Sequence, residues 1–176
     1  MYEKNGIILR KLEASDLILV KSLKDESWFG THRVTIQNKY DIQNWFDSLS
    51  ADVHAPVNLM LIGVQENKYG LKSVGLFKIT NIDWISRKAD VAWDVFKDCR
   101  GKGLGKLLVV AGVSFCRNIF NLRRLDAEIL KTNIASQKCA MCAGFKEEGC
   151  KKKAIYRNGE YLDSLIYGLT FQADGS

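Results

Sequence analysis

The run Arg100-Gly101-Lys102-Gly103-Leu104-Gly105-Lys106 is the stretch of this sequence whose residue types point most directly to a ligand. Its glycines remove the side chains that would keep a ligand off the backbone, so successive N–H groups can turn toward one anion. Leu104, Leu107, Leu108, Ala111 and Phe115 follow at helical spacing, so the run opens a helix. The first turn of a helix has unpaired donors, and its dipole adds about 0.3–1 kcal/mol for a bound negative charge. Arg100, Lys102 and Lys106 can contribute cationic side chains, and a diphosphate suits the whole. Two other phosphate loops do not fit: a dinucleotide fingerprint counted from Gly101 needs glycine where Lys106 stands, and a nucleoside-triphosphate loop needs Ser or Thr where Leu107 stands.

Carboxylates form a second set. Strand alternation puts Asp90, Ala92 and Asp94 on one face, just before the glycine run, and Glu128 lies on the strand that follows the helix. Such groups can take a proton from a reacting amine, or can merely solvate a strand or bind a cation. A third set, Glu26, Trp28, Phe29, His32 and Arg33, clusters near the N-terminus. Its aromatic rings could stack a flat base or line an apolar slot, and Arg33 could meet a phosphate. Packing beneath a loop is the plain alternative.

These residues need a scaffold, and its elements are readable. Gly6 to Leu12 reads as a first strand, Glu13-Ala14-Ser15-Asp16 as a helix start, and Leu17, Leu19, Val20 and Leu23 as the buried stripe that follows. A second helix is expected from about Tyr40 to Leu49, with Ile42, Trp45, Phe46 and Leu49 on one side. Leu59–Val64, Ser73–Ile82 and Ala89–Phe96 are rich in β-branched and aromatic residues and form an antiparallel meander, with turns at Asn67–Gly70 and Ile85–Lys88. The helix from about Gly103 to Asn118 leads to a strand at Arg124–Leu130, a short helix at Ala135–Ala143, and strands at Lys146–Tyr156 and Tyr161–Phe171 joined by an Asn158-Gly159 turn. No linker or repeat interrupts this order, so residues 1–176 read as one domain.

Composition narrows the class. With 176 residues, 47% of them hydrophobic and 26% charged, the chain is an ordinary globular protein. A net charge of +6 suits an anionic ligand. The basic residues form no stripe; their densest run is Lys151-Lys152-Lys153, which speaks against nucleic acid as a partner. The apolar runs are too short to cross a bilayer, and Met1-Tyr2-Glu3-Lys4-Asn5 has no secretory pattern, so a cytoplasmic protein without a membrane partner is expected. Five cysteines are an odd, scattered set, expected to be reduced thiols. Cys139 and Cys142 read as packing residues, and no metal is expected.

On these residues the sequence resembles the GNAT acetyltransferase superfamily, whose signature Gln/Arg-x-x-Gly-x-Gly/Ala is matched by Arg100 to Gly105. Asn133, the Ala143–Gly149 stretch and Asn158–Asp163 are similar to the branch of ribosomal-protein N-terminal, spermidine and aminosugar-nucleotide acetyltransferases. The resemblance implies an α+β fold with a mostly antiparallel mixed sheet of about seven strands and about four helices, splayed between the strands before and after the signature helix. It implies acetyl-CoA as cofactor. Trp93, Val95 and Phe96 would then pair their backbone with the pantetheine arm, Gly101 to Lys106 would hold the pyrophosphate, Asn133 would touch the arm from the far side, and Lys138 would meet the adenosine end. Asp90 matches the position of the base in histone-acetylating relatives, with Asp94 second and Glu128 third. The tyrosine that protonates the departing thiolate in many relatives falls on Ala140, which leaves Tyr156, Tyr161, water or no protein group for that task. The acceptor is then an amine, an aminosugar nucleotide or another small one; alternatives are a protein N-terminus and a non-catalytic acyl-CoA-binding domain. A homodimer is left open.

Overall fold

The computed structural model describes residues 1–25, 58–157 and 159–172. Eight strands form one sheet: β1 (Tyr2–Lys4), β2 (Ile7–Lys11), β3 (Leu59–Asn67), β4 (Gly70–Asp83), β5 (Lys88–Val95), β6 (Arg124–Leu130), β7 (Lys146–Arg157) and β8 (Glu160–Thr170), in the order β1-β2-β3-β4-β5-β6-β8-β7. Three α-helices lie among the described residues: α1 (Leu17–Asp25), α2 (Leu104–Asn118) and α3 (Ile134–Cys142). The helix expected at Tyr40–Leu49 falls outside the described residues. So do Glu26, Trp28, Phe29, His32 and Arg33, and Asn158 of the last turn.

The sheet has one strand more than the sequence reading allowed. Tyr2–Lys4 folds back on Ile7–Lys11 through Asn5 and Gly6, both with positive φ. This is the Asn-Gly hairpin signal, the same dipeptide as at Asn158-Gly159.

Every neighbouring pair is antiparallel except β5 with β6, which is parallel. The lengths of these pairings differ sharply. β4 follows β5 from Gly75↔Val95 down to Asp83↔Lys88, whereas β6 meets β5 only at Lys88↔Arg124, Ala89↔Leu125 and Asp90↔Asp126. Beyond Asp90 the two strands part, and the sheet is split toward their C-terminal ends.

Each sheet face has its own apolar cluster. On one side α2 packs across β4 so closely that a Cβ at Gly112 would overlap the Phe77 ring. Leu108, Val109, Ala111, Val91, Leu125 and Ala140 belong to the same core. On the other side Val20 and Leu23 of α1 pack on Ile62, Val64, Leu76 and Phe96. α1 is tied to the sheet by the buried Asp16 carboxylate, which accepts from Arg10 Nη1 at 2.7 Å and Nη2 at 2.9 Å and from the Glu13 amide at 2.9 Å. Burial alone would raise the Asp16 carboxyl; these bonds bring it below the usual carboxylate range.

Candidate active site

Register decides what faces the split. In an antiparallel pair the main-chain groups of alternate residues bond to the neighbour and those between point away. The Phe96 amide donates to Val74 O at 3.0 Å, so Asp94, Ala92 and Asp90, two, four and six residues back on the same register, also bond toward β4. The groups of Val91, Trp93 and Val95 therefore point toward β6, and above Asp90 no strand of the described residues meets them. The main-chain edges of Trp93 and Val95 thus face the split. Those of Phe96 do not: its N–H is engaged by β4 and its C=O accepts from the Cys99 amide at 2.8 Å in the turn that follows. The Val95 carbonyl, turned away from β4, accepts from Arg100 Nε at 2.9 Å, which ties the glycine turn to the end of β5.

At that turn the amides of Arg100 and Lys106 are bonded, to Lys97 O at 3.2 Å and Gly103 O at 3.1 Å. The amides between them, Gly101 to Gly105, enter none of the turn or cap hydrogen bonds, and Gly103 as N-cap supplies no side chain to satisfy them. Gly101 (φ 72°) and Gly103 (φ 77°) are left-handed, and a Cβ built at either meets nothing within 4 Å. Unpaired donors, open space in front of them and a helix N-terminus behind make a cradle that fits a diphosphate. Gly105 has another duty: a Cβ there would lie 3.1 Å from Val95 Cγ2 and 3.3 Å from Cys139 Sγ, so its bareness brings α2 against β5 and α3. Of the cations, Lys102 Nζ donates to Asp98 O at 2.7 Å, while the exposed Lys106 lies close enough to α3 to act electrostatically on Cys139.

The far wall is β6 with α3. Asn133 caps α3, its Oδ1 accepting from the Ser136 amide at 3.1 Å, so only its NH₂ remains for a ligand. Lys138 is exposed on the same helix. Ala140 is fully buried in the core, and its carbonyl accepts the Phe145 amide at 3.1 Å. Burial pushes the Cys139 thiol up, which weakens it as an acid. Tyr156 and Tyr161 pair at the β7–β8 hairpin, ring centroids 5.1 Å apart and both largely exposed, two strands from the split.

The carboxylates occupy the opposite sheet face from α2 and α3, since Asp94 is the cross-strand partner of Leu76 in the α1 cluster. Asp94 pairs with Lys78 Nζ at 2.5 Å. Glu128 accepts from Lys151 Nζ at 2.8 Å and from the buried Ser164 hydroxyl. Asp126, which the sequence reading passed over, is held by Arg124 together with Glu148. Asp90, at the foot of the split, has a neutral partner: Asn81 Nδ2 donates to it at 2.7 Å. The partners Lys78, Arg124, Lys151 and Ser164 were also missed. The alternation Arg124, Asp126, Glu128 at spacing two was the signal for a polar strand face.

A parallel pair that opens beside a strand with unengaged main-chain groups, and ends on the bare amides of a helix start, defines a GNAT-type coenzyme A slot. Residues 7–146 match the acetyltransferase (GNAT) domain family, and the chain belongs to that family. Its coenzyme is acetyl-CoA. The crystal structure of spermidine N-acetyltransferase from Vibrio cholerae in complex with CoA and spermine superposes with a TM-score of 0.83 over 95% of this chain and 96% of that one, at 19% identity, which speaks for the fold. In sequence, the Vibrio cholerae spermidine N(1)-acetyltransferase is 22% identical over 89% of this chain and 88% of its own length. The chain spans about half the length of YdaF of Bacillus subtilis, which carries a ribosomal N-acetyltransferase name: 26% identity over 54% of this chain and 52% of that protein. Among the described residues no helix is long and apolar enough to cross a membrane.

Proposed function

We propose that the protein transfers acetyl from acetyl-CoA directly to a primary amine, with Asp90 as the base. The observation that carries this reading is the cradle at Gly101–Gly105 placed at the head of the split beside the free edge of β5. Acetyl-CoA supplies the activated acyl group. The cradle binds its diphosphate, the edge groups of Trp93 and the Val95 N–H pair with its arm, and the NH₂ of Asn133 and the exposed Lys138 complete the far wall. The Trp93 and Val95 N–H groups also face the place where negative charge develops on the acyl oxygen. An attacking amine must be neutral, and a positioned base contributes typically 10²–10⁴-fold. Asp90 is preferred over Asp94 and Glu128 because those two face Lys78 and Lys151, whereas among the described residues Asp90 takes its side-chain hydrogen bond from the neutral amide of Asn81.

The acceptor is read as a small cationic amine. Asp126 and Glu148 share the single cation Arg124 and Asp90 bonds to a neutral amide, so the wall of the split keeps negative charge, and the likeness to a spermidine acetyltransferase supports the same class. Trp28, Phe29 and Arg33, the residues that would suit an aminosugar nucleotide, lie outside the described residues. A protein N-terminus is the second reading, favoured by the YdaF match. A thiol-release assay with acetyl-CoA across polyamines, aminosugar nucleotides and short peptides tests all of these. Release with polyamines is expected; release with peptides alone reverses the order; coenzyme binding without release on any amine identifies a non-catalytic binder.

A further inference from the structure

Beside Asp90, β4 carries a bulge. The pairs Thr80↔Asp90 and Asp83↔Lys88 leave two residues of β4, Asn81 and Ile82, opposite the single residue Ala89. Unbroken alternation would put Asn81 with Ile79 on the α2 face and Ile82 with Thr80 on the other. The reverse is found: Ile79 and Ile82 are both buried in the α2 core, and Asn81 is exposed. Its backbone is left-handed, φ 52°, a conformation that asparagine adopts more readily than most residues. Bulges re-aim a side chain and recur next to active sites.

This one aims a hydrogen-bond donor. Asn81 Nδ2 donates to Asp90 Oδ2 at 2.7 Å. The main-chain N–H of Asn81 donates to Asn58 Oδ1 at 3.3 Å, which holds the bulge without the Asn81 side chain. Asp90 is also the last residue at which β6 still pairs with β5, and its partner there is a second carboxylate, Asp126. Two carboxylates side by side disfavour each other's charged form, whereas a hydrogen bond donated to a carboxylate favours it. Asp126 is held by Arg124, which Glu148 of β7 shares. The other charges on this face among the described residues are Lys88, two residues back on β5, Lys78 of β4 paired with Asp94, and Glu128 farther along β6 paired with Lys151. Thr80, directly across on β4, is neutral.

We propose that Asn81 is a positioning residue for the reaction: its side-chain amide fixes the Asp90 carboxylate at the foot of the split, engaging Oδ2 and leaving Oδ1 for the proton of the incoming amine. This rests on the acetyl-transfer reading above, with Asp90 as the base. In the reaction the amine nitrogen bonds to the acyl carbon, the carbon–sulfur bond breaks, and its electron pair leaves on sulfur. The proton lost by the amine passes to Asp90 Oδ1, and the thiolate takes its proton from water. A neutral amide suits the task, because it orients the carboxylate without the positive charge that would make it a weaker base.

The test begins with the contact. In ¹⁵N-labelled wild-type protein the Asn81 side-chain NH₂ signals should move as pH falls through the carboxylate range, and in Asp90→Asn they should not. Signals that stay still in the wild type, or move as far in Asp90→Asn, overturn the proposal. The kinetic test uses Asn81→Gly and Asn81→Asp, which both tolerate a left-handed backbone and both keep the main-chain bond to Asn58. With a competent amine, Asn81→Gly should lower kcat roughly three- to tenfold, with coenzyme affinity by calorimetry unchanged. Asn81→Asp, which puts a carboxylate where the amide was, should move the acid limb of the rate profile to higher pH. A residue that served only the bulge would change neither, since both substitutes preserve the bulge. The two readings fail separately. An acid limb that survives in Asp90→Asn, or absence of turnover with every amine, removes the base and the proposal with it. An acid limb that is lost in Asp90→Asn but unmoved in both Asn81 variants overturns the positioning role and leaves the base in place.

Discussion

The glycine turn at the head of α2 and the polar face around β6 are both built from strongly hydrogen-bonding groups, yet they are finished to different degrees. Around β6 the partners are supplied by the protein: Arg124 holds Asp126 and Glu148, Lys151 and Ser164 hold Glu128, and Lys78 holds Asp94. At the turn the amides of Gly101 to Gly105 are left over, and on β5 the indole N–H of Trp93 has no partner among the described residues. Buried or half-buried donors are normally paired. A ligand-shaped gap in that pairing separates the part of the molecule that binds from the part that holds the strands in place. Asp90 sits between the two regimes, hydrogen-bonded to Asn81 and with no cation paired to it among the described residues.

The strongest way to break this contrast is to fill the gap. Gly103→Glu places a carboxylate in front of the free amides, in space that is open in the structure, so the fold should survive with about 1 kcal/mol of strain from its positive φ. Coenzyme affinity measured by calorimetry should fall by roughly 100-fold or more. A dissociation constant close to wild type would mean that the amides are not the anion site.

The next test sharpens the position of Asp90. Asp90→Asn keeps the shape and a hydrogen-bonding oxygen for Asn81 but removes the base. Turnover at neutral pH should drop by about 10²-fold with coenzyme affinity unchanged. The acid limb of the rate profile, which reports the base being protonated, should vanish with it. Retention of that limb in Asp90→Asn, and its loss in Asp94→Asn or Glu128→Gln, would move the base to one of the partnered carboxylates.

The polar face makes the converse prediction, a loss of stability with no direct effect on binding. A Cβ at Gly168 would overlap the Glu148 carboxylate where that group reaches over β8 to Arg124. Gly168→Ala should therefore push the flexible end of Glu148 aside and cost no more than its exposed pair with Arg124 is worth, about 1 kcal/mol or less in denaturant titration. In a Glu148→Ala background, where nothing crosses that residue, the same change should cost far less. Equal costs in both backgrounds would show that the Arg124–Glu148 crossing does not depend on the bare glycine.

The contrast also explains which parts of the structure could be read from the sequence. Gly101–Gly105 was legible because main-chain donors need glycine and a following helix, and both are local patterns. The splay beside β5 was legible only through family resemblance, since the point at which a parallel pair parts depends on β6, more than thirty residues away. The chemistry of Asp94 and Glu128 was not legible at all. Their partners Lys78, Lys151 and Ser164 come from other strands, brought alongside by register and by the bulges in β7 between Glu147/Gly149 and Lys151/Ile155. Phe96 shows the same limit from the other direction: its residue type fits the slot, and only the alternation of bonded edges reveals that its amide belongs to β4. The first hairpin was a failure of a different kind. Asn5-Gly6 is as local a signal as Asn158-Gly159, but the three residues of β1 are too few to show a period.

A further test lies on the sheet face opposite α2, where Asp16 joins the start of α1 to Arg10 on β2. Its carboxyl is held below the ordinary range of about 3.9 in the folded state, so it binds its proton less readily folded than unfolded. That difference stabilises the fold fully above the ordinary carboxylate range and is lost as pH falls through the depressed folded value. Asp16→Asn should thus cost about 1–2 kcal/mol at neutral pH, read by denaturant titration. The gap to wild type should narrow as the titration is repeated at successively lower pH, because the wild-type carboxylate is then protonated as well. A cost that stays constant down to pH values well below the carboxylate range would show that the substituted amide disturbs packing rather than the ion pair. Coenzyme binding should be unaffected at any pH where the protein is folded, since α1 packs on Leu76 and Phe96 from the face opposite α2.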